Sequence, residues 1–438
     1  MVVAADHTTL ADVAVDGGRI VDVSAAGLQL RARQVVDASA LHVLPGLVDA
    51  HVHLREPGLV HKEGFFTGTR AALAGGVTTV MVMPTDVPAT LSVQDFLGKK
   101  VLAQGQAFAD FALQAGLGRS TAHVQGLWEA GAVSFEIFLA DVGEQLLVND
   151  AESLLQCLQA VAGAGAIAGV TPGDHDVVTR RTAAIRAQST GARTDFPGTR
   201  PPISEALGVA RGCVAARETG ARIHIRQLSC RHAAQLLAGL RSGVRVTSEV
   251  TPHNLLLDES ALIAQGPVAK VAPPLRAPDD VAAMRDALAS GLVDIVATDH
   301  APHLPEEKAK GANDIWLAPG GLPGLQTLLP AMLKLVDDDV LSLQDLVRCC
   351  ATMPAQVFGL ARKGQIAPGF DGDIVLLDRT ATFVVRNAQQ ESKARQTPFD
   401  GLSCRGAIRS VFLRGMQVVQ DGGLAPSPRG EFVRPGAP

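Results

Sequence analysis

Short apolar runs alternate with helical patterns through the middle of the chain. The strand candidates are 43–53, Val77–Met83, Phe111–Leu117, Val133–Leu139, Ala166–Thr171, Arg222–Leu228, Val244–Val250 and Asp294–Asp299. Between them the spacing predicts helices over Gly64–Ala74, Ser153–Ala162, Ser204–Thr219 and Arg231–Leu240, with two more at Leu325–Leu335 and Ser342–Ala351. Eight strands, each with a helical or looping return, imply an α/β fold whose parallel sheet closes into a (β/α)8 TIM-type barrel.

The two ends follow a different pattern. Ala11–Val15 and Arg19–Val23 flank Asp16-Gly-Gly18, a hairpin signal, and Gln34–Asp37 reads as another short strand. Short strands return after residue 364, where Ile408–Arg414 and Gln417–Gln420 flank Gly415. Neither end buries a core alone. The expected arrangement is one small β-sandwich domain built from 1–42 and 365–438, split by a barrel over 43–364. The Pro- and Gly-rich tail after Asp421 is expected on the surface.

Composition narrows the function. Among 438 residues, 47% are hydrophobic and 19% charged, with a net charge of −5, which leaves no basic patch for nucleic acid. No apolar run reaches the length of a membrane span, and the N-terminus lacks a secretory pattern. Six scattered cysteines without Cys-x-x-Cys spacing fit reduced thiols, so a cytoplasmic location is expected. The chain has no tyrosine, which removes phenol chemistry.

In a barrel of this kind, chemistry sits at the C-terminal strand ends. The first strand ends Asp49-Ala-His-Val-His-Leu-Arg55. Alternation places His51 and His53 on one face, with Arg55 following on that side. Two imidazoles there suit a divalent metal, although His-x-His alone is equally a pair of satisfied loop histidines. Glu136 and Asp299 lie in apolar strands, where a carboxylate needs a partner or a metal. Two histidines and two carboxylates suit zinc, with manganese or iron as alternatives. An arginine partner is the alternative for Glu136. His224 reads as a core or supporting histidine, and His175 as a solvated loop residue.

Asp49–Pro57 and Ala297-Thr-Asp-His-Ala-Pro-His303, followed by Glu306, Glu307 and Lys308, resemble the two signature stretches of dihydroorotases. Thr247–His253, Lys270–Arg276, Gly320–Gln326, Met353–Gly359 and Pro398–Gly401 are similar to further family segments. Gly364–Gly369 and Pro428–Phe432 resemble allantoinases too. The resemblance spans nearly the whole chain and implies the amidohydrolase superfamily, in its cyclic amidohydrolase branch (dihydroorotase, allantoinase, hydantoinase).

That kinship implies site residues. His51, His53 and Asp299 match ligands of the family's first metal. The bridging carboxylated lysine at the end of strand four is here Glu136, a candidate substitute ligand. The family's strand-five and strand-six histidines fall on Thr171 and Gln227, so one metal is expected. Asp299 is the expected catalytic proton acceptor. Arg55 and His303 match positions that hold a substrate carboxylate; the third falls on Thr85 or Asp86. The expectation is hydrolysis of a small anionic cyclic amide, dihydroorotate-like, by a homo-oligomer. An allantoinase- or hydantoinase-like hydrolase is one alternative. The other is a non-catalytic homologue that scaffolds a transcarbamoylase.

Overall fold

The computed structural model describes residues 1–25, 27 and 32–436. Eight strand positions form the barrel. They are Leu47–Val52, Val77–Val82, Asp110–Leu113 continued by Ala115–Leu117, Phe135–Phe138, Ile167–Thr171, Arg222–Leu228, Val246–Val250 and Ile295–Val296. Successive strands pair in parallel. The ring closes through Asp49 of the first strand, which accepts from the Thr298 N–H at 3.1 Å and from its hydroxyl at 2.5 Å. A parallel bridge between Val52 and His300 completes the seam. The last strand is only two residues long, and Asp299 just beyond it has a left-handed φ of 48°.

The helices at Phe65–Ala74, Ala151–Gly163, Pro202–Thr219 and Arg231–Leu240 match the periodicity closely. Others stood outside the expectation, among them Val93–Ala103, Val124–Ala130, His175–Arg186 and Pro278–Ala289. The first has a local signal that was passed over. Ser92 accepts from the Asp95 N–H while Asp95 accepts from the Ser92 N–H, a reciprocal N-terminal cap.

Two strand expectations are corrected. The run 43–53 is not one strand. His42–Pro45 pairs with Ile374–Leu377 and with Val2, and the barrel strand begins only at Leu47. Gly46 makes the crossing, because a Cβ there would lie 2.1 Å from Thr78 Oγ1. Gln34–Asp37 forms no strand; Val35 is 82% exposed and has nothing to pack on. The C-terminal tail lies on the surface as expected, with no buried residue over 421–436, and is tied down there. Phe111 N–H donates to Glu431, Val433 N–H donates to Phe111, and the Phe432 ring packs on Phe111 and Phe96. Two apolar residues give the tail something to bury. Residues 437 and 438 lie outside the described residues.

Both chain ends do build one β unit. Seven strands run in the order 423–424, 416–420, 403–413, 374–384, 42–45, 2–3, 8–9. The hairpin of Ala11–Asp16 and Arg19–Ala25 covers one face, with Ala11 and Val13 on Val2, Val43, Ile374 and Leu376. The other face, through Leu44, Val375, Leu377 and Val411, merges with the main core.

A buried ion cluster ties this unit to the barrel. Lys363 Nζ lies 2.6 Å from Asp110, 2.9 Å from Asp371 and 2.8 Å from Asp373. Asp110 opens the third barrel strand, whereas Asp371 and Asp373 precede the strand at Ile374. Burial pulls the ammonium pKa down, yet the carboxylates hold it above the ordinary lysine range. The three carboxylates therefore already enclose a cation. Lys363→Met removes the one cation all three share, leaving Arg414 on Asp110, Arg362 on Asp371 and Asp373 without a basic partner among the described residues, and chemical denaturation is expected to show a loss of about 3–5 kcal/mol.

Candidate active site

A cleft of about 270 Å³ opens at the C-terminal end of the barrel. Its wall includes His51, His53, Arg55, Gln227, Asp299 and Gly321. Among the described residues, His51, His53 and Asp299 bring three ligand atoms within 4.8 Å of one another.

The ring orientations are set from behind. His51 Nδ1 is 2.5 Å from Glu249 Oε1, and His53 Nδ1 is 2.7 Å from Thr85 Oγ1. Each Nε2 is thereby turned to Asp299 Oδ1, at 3.3 Å from His51 and 3.1 Å from His53. Two donors on one tetrahedral zinc with bonds of about 2.0–2.1 Å lie about 3.3–3.4 Å apart. The donor set, and the two spacings to Asp299, suit ligands of such an ion. Gln227 Nε2 donates to the other oxygen, Asp299 Oδ2, at 2.5 Å.

The electrostatics agree with a cation site. Burial pulls the His51 pKa down, but Glu249 and Asp299 more than offset it, leaving His51 above the usual imidazole value. Burial wins at His53, pushed down to about 4. Asp299 is raised by burial, and His51 and His53 return it below the ordinary carboxylate value. His253 Nε2 is buried with no hydrogen-bond partner, and burial pushes its pKa down to about 4. Backbone strain collects here as well: Arg55, Gln227 and Asp299 all have positive φ, at 59°, 52° and 48°.

Glu136 meets the arginine partner that is the alternative to a metal. It does not join the three-residue cluster. Arg226 takes both its oxygens, with Nε 3.1 Å from Oε2 and Nη2 2.7 Å from Oε1. Glu136 and Arg226 are wholly buried, so the carboxylate is compensated by a guanidinium and not by an ion in the cleft. His224 is a supporting histidine, bonded to Thr247 and Glu249. His175 opens a helix instead of lying in a loop.

The two substrate positions differ. Arg55 lines the cleft, its Nε is buried without a partner, and no carboxylate among the described residues pairs with it. Burial lowers its pKa against the pull of Asp299 and Asp86. His303 is bonded to Gly320 of the cleft wall. Its Nε2 donates to the Gly320 carbonyl at 3.0 Å and Nδ1 accepts from Lys62 at 3.3 Å. Of the third pair, Thr85 faces the cleft whereas Asp86 is consumed by buried Lys99.

Residues 42–121 and 214–418 match the sequence profile described as the Amidohydrolase family. The chain belongs to that family. It is 36% identical over 419 residues to a dihydroorotase of Methanothermobacter thermautotrophicus, covering 95% of this chain and 93% of the relative. It is 34% identical over 434 residues to an allantoinase of Bacillus velezensis, covering 98% and 94%. The L-hydantoinase of Arthrobacter aurescens superposes with a TM-score of 0.96 at 30% identity, over 99% of this chain and 98% of that one. This amidohydrolase is therefore an enzyme of the cyclic amidohydrolase branch, as the motifs implied. Among the described residues, no helix is long and apolar enough to cross a membrane.

Glu249 and Arg226 are the residues that sequence reasoning did not assign. A signal existed. His224 and Arg226 are two apart on one strand, as are Thr247 and Glu249 on the next, so each pair shares a face. A cation and a carboxylate on facing positions of adjacent interior strands call for each other.

Two predictions follow from this geometry. Zinc uptake by the purified chain, measured by elemental mass spectrometry, is expected to be lost in Asp299→Ala and kept in Glu136→Gln. The second concerns Lys308, which is 3% exposed and donates to the Lys270 carbonyl at 2.8 Å. Burial and the neighbouring Lys270 push its pKa from 10.5 to about 7. Between those values the unfolded chain binds a proton that the folded chain does not, so stability rises with pH there. Melting temperatures from pH 7 to about 9 are expected to climb in the parent protein and to climb less in Lys308→Met.

Proposed function

We propose that this amidohydrolase opens the C–N amide bond of a small anionic ring, dihydroorotate-like, with one zinc ion held by His51, His53 and Asp299. The observation that carries this reading is the convergence of those three donors beside an unpaired Arg55 guanidinium in one cleft. The 36% identity to a dihydroorotase supports the same substrate class.

When bound, zinc supplies a Lewis acid for the ring carbonyl and an acidified water. The chain supplies the rest. Arg55 offers a planar fork that binds a carboxylate through two parallel hydrogen bonds and so orients the ring. Asp299 is ionised at neutral pH, because His51 and His53 hold its pKa below the ordinary value. It accepts the proton of the attacking water and returns it to the leaving ring nitrogen, which balances the hydrolysis. Gln227 holds Oδ2 still for that exchange.

A neutral ring, as in an allantoinase- or hydantoinase-like reaction, leaves Arg55 without a partner. The test is a hydrolysis screen of dihydroorotate, allantoin and hydantoins, with metal content measured on the same samples. Dihydroorotate is expected to be turned over fastest. Arg55→Ala is expected to lower kcat/KM for it by about 10–100-fold, the loss of a charged hydrogen-bonded contact. The same change should barely affect hydantoin. Faster turnover of allantoin by the parent enzyme would sink the anionic-ring reading, and no turnover of any ring amide would sink the hydrolase reading.

A further inference from the structure

Arg226 is the largest side chain wholly hidden from solvent among the described residues. A guanidinium has five N–H donors, and all five are used here. Two go to Glu136, at 3.1 and 2.7 Å. One goes to Glu249 Oε2 at 2.9 Å, one to Gln114 Oε1 at 2.7 Å and one to the Ala50 carbonyl at 3.0 Å. The side chain thus joins strands one, three, four and seven from its own place on strand six.

The barrel is shaped around this group. Gly169 of strand five faces the pair, and a Cβ there would stand 2.1 Å from Glu136 Oε2. Stability alone is a poor reason for the arrangement, since apolar residues of similar volume often replace buried ion pairs at no cost. Its link to the site is Glu249. With Oε2 held by Arg226 and His224, the remaining oxygen, Oε1, meets His51 Nδ1 at 2.5 Å. That contact requires the Nδ1–H tautomer and leaves Nε2 for Asp299 and the ion. Carboxylates behind a ligating histidine fix its ring and raise its basicity.

We propose that Arg226 is a positioning residue for the metal centre, a fixed cation whose grip on Glu249 sets the ring of His51 and whose grip on Glu136 withholds that carboxylate from the cleft. This rests on the zinc reading of His51, His53 and Asp299.

The test uses the full chain, stripped of metal and titrated with zinc against a chromophoric chelator. Three proteins are compared: the parent, Arg226→Ala, and the charge-balanced double variant Glu136→Gln with Arg226→Met. Melting of each metal-free form is recorded alongside. Both variants are expected to bind zinc about 10–100-fold more weakly than the parent. Added guanidinium ion is expected to restore the affinity of Arg226→Ala, whereas urea, similar in shape but uncharged, is not. Should Arg226→Ala fail to fold, the double variant decides alone. Folded variants that hold zinc within about twofold of the parent overturn the proposal, as does rescue by urea equal to that by guanidinium. A parent protein that takes up no zinc is a different failure: it removes the metal reading itself, and this inference with it.

Discussion

Charge balance inside a barrel that excludes water constrains this molecule more than any other interaction. Glu136, Glu249 and Arg226 are fully buried, and His51 and Asp299 nearly so. Ionised groups at such depth persist only when each meets an opposite charge with its hydrogen bonds satisfied. The solution is a continuous chain of contacts: Glu136 to Arg226, Arg226 to Glu249, Glu249 to His51, and His51 to Asp299. At its inner end the Glu136 carboxylate is held by the Arg226 guanidinium. At its outer end one carboxylate oxygen faces two imidazole nitrogens at the spacing of a metal's ligands. The chemistry of the cleft is thus continuous with the packing of the barrel floor.

The same rule governs the opposite face. Lys363 gathers Asp110, Asp371 and Asp373 where the third strand begins, and so fastens the β unit to the barrel. The tail lies close by, with the Glu431 N–H on Asp110 and Phe432 against Phe111. The two faces divide the labour expected of this architecture, with adhesion at the strand starts and reactive groups at the strand ends.

Much of this was readable from residue order. Strand alternation put His51 and His53 on one side, and Asp299 in an apolar strand demanded a partner. The readings left open or overturned share a cause. At Glu136 residue order calls for a cation and leaves a metal and an arginine both open, and packing supplies Arg226. Arg226 lies 90 residues away in the chain. Val43 and Leu44 were assigned to the barrel because an apolar run carries no mark of which sheet it joins. Only Gly46, forced by the approach of Thr78, divides the two.

Local pattern therefore established the eight-strand barrel, the ends that fold together, and the histidine pair at the first strand's tip. These follow from periodicity and spacing, which act over a few residues. Which cation answers which carboxylate was decided by three-dimensional packing. The reason is physical: a buried charge is compensated by whatever group lies nearest in space, and barrel closure makes neighbours of residues that no local rule connects.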